Sequence, residues 1–215
     1  MDNICGCPVK KITNKINDFF RKSLNAKNHQ RLNTNTLAVI SSNCTGAFML
    51  HDLGLRFNSP FVNLFLTPTD FIKYVKNIAH YQTQEITFPK EIQRKYPVGL
   101  LGDIHLYFMH YHSEQEAVKK WQERTARMDL NHLFIMMAER DGCRDEDLLE
   151  FEQLPFKNKV VFTHKPYLEL TSAVYIQGFE QQQKIGDLFE YCGLNRKRFY
   201  DQFDYVGWFN QHKQN

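Results

Sequence analysis

A cysteine at the predicted start of a helix is the residue best placed for chemistry in this sequence. Cys44 follows an apolar run at 37–40 and a polar turn at 41–43, and an amphipathic segment begins at Ala47. This order predicts a strand, a tight turn and a helix. The first turn of a helix has unpaired backbone N–H groups and the positive end of the macrodipole, and both favour an anion. The turn therefore suits either an easily ionised thiol or a backbone site for phosphate or carboxylate.

A histidine later in the chain is the predicted base for this thiol. His51 lies seven residues after Cys44, which is about 10 Å along a helix and too far to take the thiol proton. His110 stands at the end of a predicted strand, and strand ends in open α/β sheets are where active groups gather. We predict Cys44 as nucleophile, His110 as general base and Asp103 as the group that orients the histidine or binds ligand. The alternative is a small buried cysteine, a histidine satisfied in the core and an aspartate that forms a turn.

Arginines on one helix predict an anionic ligand. Three-residue steps place Trp121, Arg124 and Arg127 on neighbouring parts of one helix face. Arginines there would hold a phosphate or carboxylate through paired hydrogen bonds, as a nucleotide sugar or phosphorylated polymer requires. The alternative is a surface in which these arginines pair with acidic neighbours while the tryptophan is buried. The other predicted substrate-binding residues lie in or near polar turns: Ser42, Asn43, Gly46, Asn58, Ser59 and Tyr111.

The sequence predicts neither a metal site nor a cofactor. Glu139 and Asp141 follow the buried strand predicted at 133–138, but no further ligand spacing accompanies them, so a capped turn is the preferred interpretation. Cys5 and Cys7 have no second Cys or His pair at ligand spacing. The chain also has neither a glycine-rich phosphate loop nor a dinucleotide fingerprint.

Composition and charge exclude several classes of protein. The 215 residues are long enough for one substantial core, and the net charge of +3 without a strongly basic block argues against nucleic acid as a partner. Five irregularly spaced cysteines favour a reducing compartment. With no apolar run near 20 residues and no apolar segment of the signal-peptide type, we expect a cytoplasmic protein.

Strands alternating with helices predict a layered α/β/α fold with a mixed, mostly parallel sheet. We expect residues 37–215 to form a single α/β domain. The predicted strands are 37–40, 61–66, 85–88, 104–111, 133–138, 159–162 and 174–176. A helix is expected at 181–189, among others.

Residues 1–36 differ from the rest and predict a basic, amphipathic N-terminal helix. Its apolar residues recur at helical spacing: Ile12, Ile16, Phe19, Phe20 and Leu24. The preferred interpretation is a helix that packs on the core or on a second subunit. The alternative is peripheral membrane contact, with the helix resting on an anionic surface.

Several motifs between residues 37 and 165 together resemble one bacterial family. They are the segments 42–46, 58–65 and 96–99, Asp103 with His110 and Tyr111, and 116–117 with Lys120, Trp121, Arg124 and Arg127. They are similar to the uncharacterised family labelled exopolysaccharide or capsular polysaccharide biosynthesis proteins. The resemblance implies glycan assembly in a bacterium and implies no mechanism. The family usually has tryptophan where this chain has Thr45.

A second, weaker resemblance concerns the thiol. The Ser-x-x-Cys turn and the Ser-Pro-Phe stretch at 59–61 are similar to papain-like cysteine peptidases, and this similarity implies a thiol nucleophile. We therefore expect an enzyme of surface-polysaccharide assembly, a transferase or hydrolase acting on a glycan or activated sugar precursor. The alternative is a non-catalytic accessory module that binds an anionic polysaccharide or a lipid-linked intermediate.

Overall fold

Helices and strands alternate along the chain. The structure is a computed structural model that describes residues 8–193 and 197–211, with side chains from Ile16 onward. The helices are α1 (Pro8–Arg31), α2 (Thr45–Asp52), α3 (Pro68–Lys76), α4 (Ile78–Gln82), α5 (Glu114–Thr125), α6 (Asp145–Glu152) and α7 (Tyr205–Asn210). The strands are β1 (Ala38–Ser41), β2 (Ile86–Thr87), β3 (Val98–Leu101), β4 (Ile104–Tyr107), β5 (Leu133–Ala138), β6 (Lys159–Thr163) and β7 (Ala173–Tyr175). Short 3-10 turns cover Leu130–His132 and Phe199–Gln202.

A four-stranded parallel sheet in the order β1-β5-β6-β7 forms the centre of the fold. Strand β5 pairs with β1 from Leu133 opposite Ala38, and with β6 up to Ala138 opposite Phe162. Because all four strands run in one direction, the carboxyl ends of β1, β5 and β6 lie at the same edge. A separate antiparallel sheet joins β2, β3 and β4.

The sheet is covered on both faces, as the apolar β5 sequence predicts. All six residues of β5 are buried, and successive side chains point to opposite faces. Leu133, Ile135 and Met137 pack in a core with residues of α3, α5 and α6. Phe134, Met136 and Ala138 pack in a second core with residues of α2 and α7. The predicted layered α/β fold with a mostly parallel sheet is therefore confirmed.

Two predicted elements are absent from the described chain. The predicted strand 61–66 pairs only at Phe65, which bridges to Tyr107, because Pro60 precedes it and Asn63 adopts a left-handed φ of 62°. The predicted helix 181–189 is a series of turns. Gly186 explains part of this difference, since a glycine in the middle of a helix costs roughly 0.5–1 kcal/mol; here the ring of Phe179 packs where its Cβ would stand.

Helix α1 packs on α2 and on the C-terminal segment through polar side chains. Arg21 is buried and pairs with Asp52 at 2.7 Å and also with Asp201. The amide of Asn28 donates to Tyr205 Oη at 3.1 Å. Within residues 8–193 and 197–211, no helix is long and apolar enough to span a membrane.

Candidate functional site

Two clefts meet at Cys44, where β1 ends and α2 begins. The basic cleft has a volume of about 280 Å³ and is lined by Cys44, Ala47, Phe48, His51, Phe57, Val62, Asn63 and Arg124. The acidic cleft has a volume of about 420 Å³ and is lined by Asn43, Cys44, Phe65, Tyr96, Met109, His110, Arg140, Asp141, Asp187 and Phe189. Cys44 is the wall that the two clefts share.

The turn that carries Cys44 is held by hydrogen bonds to neighbouring strands. Ser42 Oγ accepts from the Ala138 N–H at 3.2 Å, and the Ser42 carbonyl accepts from the Leu66 N–H at 3.0 Å. Ser42 is buried, so its polar atoms join strands and do not serve the predicted ligand contact. Asn43 does line the acidic cleft, and its Oδ1 accepts from the Thr45 N–H at 2.9 Å.

Three other predicted substrate contacts have structural roles away from the clefts. A Cβ on Gly46 would lie 2.9 Å from Val39 Cγ1, so the glycine lets α2 approach β1 closely. Asn58 Nδ2 donates to the Leu37 carbonyl at 3.3 Å, and the Ser59 hydroxyl donates to the Val39 carbonyl. These side chains tie the segment after α2 to β1.

Trp121 lies in the hydrophobic core and not in the site. It is 4% exposed and its ring packs against Phe61, Tyr74 and Phe108. The helical spacing of Trp121 with the arginines is real, but the tryptophan points to the sheet side of α5.

Tyr111 contacts Arg124 from the interior of the protein. Its hydroxyl donates to the Val62 carbonyl at 2.8 Å and accepts from Arg124 Nη1 at 2.6 Å. Because Tyr111 is buried, its role is to position Arg124.

Asp103 is placed apart from His110. It lies in the turn between β3 and β4 and accepts from Lys73 Nζ at 2.8 Å and Tyr81 Oη at 2.7 Å. These two hydrogen bonds lower the pKa of Asp103 to about 2. His110 follows the other end of β4, so roughly 13 Å of strand separates the two residues, and Asp103 cannot orient the histidine.

Cys44 and His110 share the acidic cleft, but the thiol is not activated. No hydrogen bond joins the two side chains in the described chain, and Cys44 Sγ faces the Leu64 carbonyl at 3.9 Å. Burial raises the pKa of the Cys44 thiol to about 11, with Asp187 adding to the rise and Arg140 and the Asn63 N–H opposing it. The helix start was expected to lower this pKa, and desolvation of the thiol outweighs it.

An arginine cluster borders the basic cleft. Arg124 lies over the Phe57 ring at 5.8 Å, and Arg127 Nη2 donates to the Phe57 carbonyl at 3.1 Å. Burial lowers the pKa of Arg127, the charges of Arg56 and Arg124 lower it further, and the charge of Glu123 opposes them. The three guanidinium groups therefore lie close enough to repel one another.

The acidic neighbours of this cluster pair elsewhere. Glu123 binds Lys120 at 3.1 Å, and Asp129 binds His132 at 2.7 Å. Among residues 16–193 and 197–211, no ion pair reaches Arg56, Arg124 or Arg127. The alternative is therefore found only in part: Trp121 is buried, but the three arginines form no ion pair among these residues, and the Glu123 charge only partly offsets their repulsion at Arg127.

The acidic cleft contains residues that the sequence did not single out as ligand contacts. Arg140, just after β5, lies between Asp141, at 3.2 Å, and Asp187. The position of Arg140, two residues after the buried strand β5, is a signal that the sequence offers, whereas Asp187 comes from an irregular segment with no such signal. Within the described residues, no group of three or more His, Cys, Asp or Glu side chains could hold a metal ion.

Each cleft includes a non-glycine residue in the left-handed conformation. Asp141 has a φ of 57° in the acidic cleft, and Asn63 has a φ of 62° in the basic cleft. The Asn63 carbonyl accepts from the His110 N–H at 3.3 Å, which joins the two clefts. Such conformations cost of order 1–3 kcal/mol and cluster at functional sites.

The chain belongs to the family described as Domain of unknown function (DUF1919), whose model matches residues 15–210. A protein of Haemophilus influenzae described as uncharacterised is 55% identical over 203 residues, which cover 94% of this chain and 98% of that protein. Neither description names an activity, so the resemblances to polysaccharide biosynthesis proteins and to cysteine peptidases stay predictions.

Proposed function

We propose that this protein acts in bacterial surface-polysaccharide assembly and binds an anionic glycan or activated sugar precursor in the two clefts around Cys44. The observation that carries this proposal is the arginine cluster beside the basic cleft, whose members repel one another and form no ion pair among the described side chains. Clustered guanidinium groups repel one another, and a bound phosphate or carboxylate removes that repulsion. The sequence resemblance supplies the glycan context, and the cysteine usage favours a cytoplasmic location.

The basic cleft would hold the anionic part of the ligand. Arg124 is oriented by Tyr111 Oη and by the Phe57 ring, so its remaining donors are available in a fixed position. Hydrogen bonds to charged groups contribute about 1.5–3 kcal/mol each. An anion at this position would therefore gain affinity without reorganising the site.

The acidic cleft suits the sugar. The rings of Phe65, Tyr96 and Phe189 provide flat apolar surface for the C–H faces of a pyranose, and the carboxylates of Asp141 and Asp187 accept hydrogen bonds from hydroxyl groups. A volume of about 420 Å³ lies within the usual range for small-molecule sites. A sugar phosphate placed with its sugar here and its phosphate near Arg124 would pass over Cys44.

A second candidate is a transferase or hydrolase in which Cys44 attacks and His110 takes its proton. The observation in its favour is that both residues line the acidic cleft. Against it, a thiol with a pKa of about 11 is ionised in roughly one molecule in 10,000 at pH 7. Binding needs only the arginines, so the geometry supports ligand binding more strongly than thiol catalysis.

Calorimetric titration tests the binding proposal. Inorganic pyrophosphate serves as the anion-only probe and a panel of nucleoside-diphosphate sugars as the complete probes. We expect Arg124→Gln to weaken pyrophosphate binding by about 10- to 100-fold, the equivalent of one charge-assisted hydrogen bond. Arg31→Gln is the matched control, because Arg31 is an exposed arginine that pairs with Asp204 away from the clefts.

The same titration distinguishes the two halves of the site. Asp187→Asn should weaken the sugar-containing probes while leaving pyrophosphate unchanged. Absence of pyrophosphate binding, or an equal loss in the Arg124 and Arg31 variants, would contradict the proposal.

For the second candidate, Cys44→Ser and His110→Ala should each abolish turnover while the fold is retained. Full turnover by Cys44→Ala would refute the nucleophile role.

A further inference from the structure

Helix α1 presents apolar side chains to solvent and polar side chains to the protein. Ile16, Phe19 and Phe20 are 45%, 71% and 50% exposed, whereas Asn17 and Arg21 are 1% and 3% exposed. The rings of the two phenylalanines meet edge to face with centroids 5.3 Å apart. A helix on the surface of a globular domain normally has the opposite arrangement.

Buried polar contacts fix this orientation. Arg21 Nη2 lies 2.7 Å from Asp52 Oδ2 and 2.9 Å from Tyr200 Oη. One turn before it, Asn17 Nδ2 donates to the Gly193 carbonyl at 2.7 Å. Rotating the helix to bury its phenylalanines would withdraw Arg21 from Asp52, which would stay buried with only Tyr200 and the more distant Arg198 as partners. The apolar side of α1 therefore stays on the outside.

The charge of α1 indicates what covers that side. Its sequence contains five lysines and two arginines but a single acidic residue, Asp18, which accepts from Tyr191 Oη at 2.6 Å. Both arginines pair with aspartates, while Lys22 and Lys27 are exposed. A second copy of this chain would bring the same positive charge against itself. An anionic lipid surface offers both negative headgroups and hydrocarbon to match this helix.

We propose that α1 docks the protein in the plane of an anionic membrane surface. Ile16, Phe19 and Phe20 enter the boundary between headgroups and acyl chains, and Lys22 and Lys27 contact lipid phosphates. The domain is then held at the surface by one helix whose opposite side remains bound to α2 and the C-terminal segment. This inference does not depend on the identity of the ligand in the clefts.

Cosedimentation of the full chain with lipid vesicles tests the proposal. Vesicles of phosphatidylcholine with roughly a third phosphatidylglycerol are compared with vesicles of phosphatidylcholine alone. We expect binding to the anionic vesicles, weakened by added salt, and a loss of at least about tenfold in partition coefficient for the double variant Phe19→Ser with Phe20→Ser. Leu168→Ser is the matched control, because Leu168 is 97% exposed and lies in the loop between β6 and β7; its partition should be unchanged.

Two results would overturn the docking proposal. The first is no binding of the unaltered chain to anionic vesicles, or undiminished binding of the double variant. The second is a dimer in sedimentation equilibrium that the same double variant dissociates, which would assign the apolar side to a second copy. Since both phenylalanines are exposed, circular dichroism should show an unchanged fold in the double variant.

Discussion

The pKa of Cys44 predicts how fast an alkylating reagent labels it. Only the thiolate reacts with iodoacetamide, and burial raises this pKa from 9.0 to about 11. At pH 8 the thiolate fraction then falls from about one in ten to about one in a thousand, a difference of two pKa units or about 2.7 kcal/mol. Native Cys44 should therefore react about 100-fold more slowly than an unperturbed thiol, before any further slowing from limited access.

Peptide-resolved mass spectrometry provides the assay. Labelling rates are measured between about pH 6.5 and 9.5 for the native chain and for the same chain unfolded in urea, so that each cysteine serves as its own reference. A native labelling rate that rises with a midpoint below pH 8.5 would refute the assignment of desolvation as the dominant cause. It would also restore the thiol nucleophile as the leading hypothesis.

Two charge variants separate the contribution of burial to the Cys44 pKa from the contribution of nearby charges. Asp187→Asn removes a charge that raises the Cys44 pKa, while Arg140→Gln removes one that lowers it. We expect the first to speed labelling and the second to slow it, each by less than about tenfold because burial is the larger cause. Cys143, whose pKa burial raises to about 12, is the internal control for Asp187→Asn and should not respond to it; it is no control for Arg140→Gln, because its N–H donates to the Arg140 carbonyl. Equal responses of both cysteines would indicate a general loosening of the fold.

Three further predictions concern stability. Arg21→Ala should lower the free energy of unfolding by about 3 kcal/mol in urea titrations, the lower end of the range for breaking a buried ion pair, because buried Asp52 would keep Tyr200 and the more distant Arg198. Burial raises the pKa of Asp52, but Tyr200, Arg21 and Arg198 together outweigh it, so the net pKa is lowered. A carboxyl with a lowered pKa stabilises the fold above its unfolded pKa of about 3.9, and this stabilisation is lost as the pH falls through the folded pKa. The cost of Arg21→Ala should therefore shrink below about pH 4. Trp121→Ala should cost about 3–5 kcal/mol yet leave pyrophosphate affinity unchanged at temperatures where the variant is folded. Gly46→Ala should cost about 1–3 kcal/mol in the same titrations, since its methyl group would overlap Val39.

The regular elements with clear local signals were predictable from sequence. The predicted strand 133–138 matches β5 because an interior strand is apolar at every residue. The starts of α3 and α5 follow capping residues, since Thr67 Oγ1 accepts from the Asp70 N–H and Ser113 Oγ from the Glu116 N–H. The prediction of a strand at 61–66 was wrong. The composition of this segment suits a strand, but the left-handed backbone at Asn63 limits its pairing to Phe65.

The candidate site was predictable only where topology decides it. Cys44 and Arg140 come together because each follows the carboxyl end of a strand in the parallel sheet. His110 follows β4 of the antiparallel sheet and reaches the cleft through the segment after α2, where the Asn63 carbonyl accepts from its N–H. Sequence spacing placed Trp121 with the arginines, but it does not indicate which side of α5 faces the core. The Cys44 pKa depends on burial and on the charges of residues distant in sequence, such as Asp187 and Arg140. No local rule could anticipate that balance.

Helix α1 binds residues of the C-terminal segment, so it cannot reach its native position until that segment has been synthesised. Arg21 contacts Asp201 across 180 residues, and Asn28 contacts Tyr205 across 177. Closing a loop of that length costs on the order of 5 kcal/mol. During translation at about 5–20 residues per second, α1 would wait roughly 10–35 s for these partners. Helix α1 should therefore be among the last elements of this domain to reach its native position, and its phenylalanines would be accessible to chaperones or lipid in the interval.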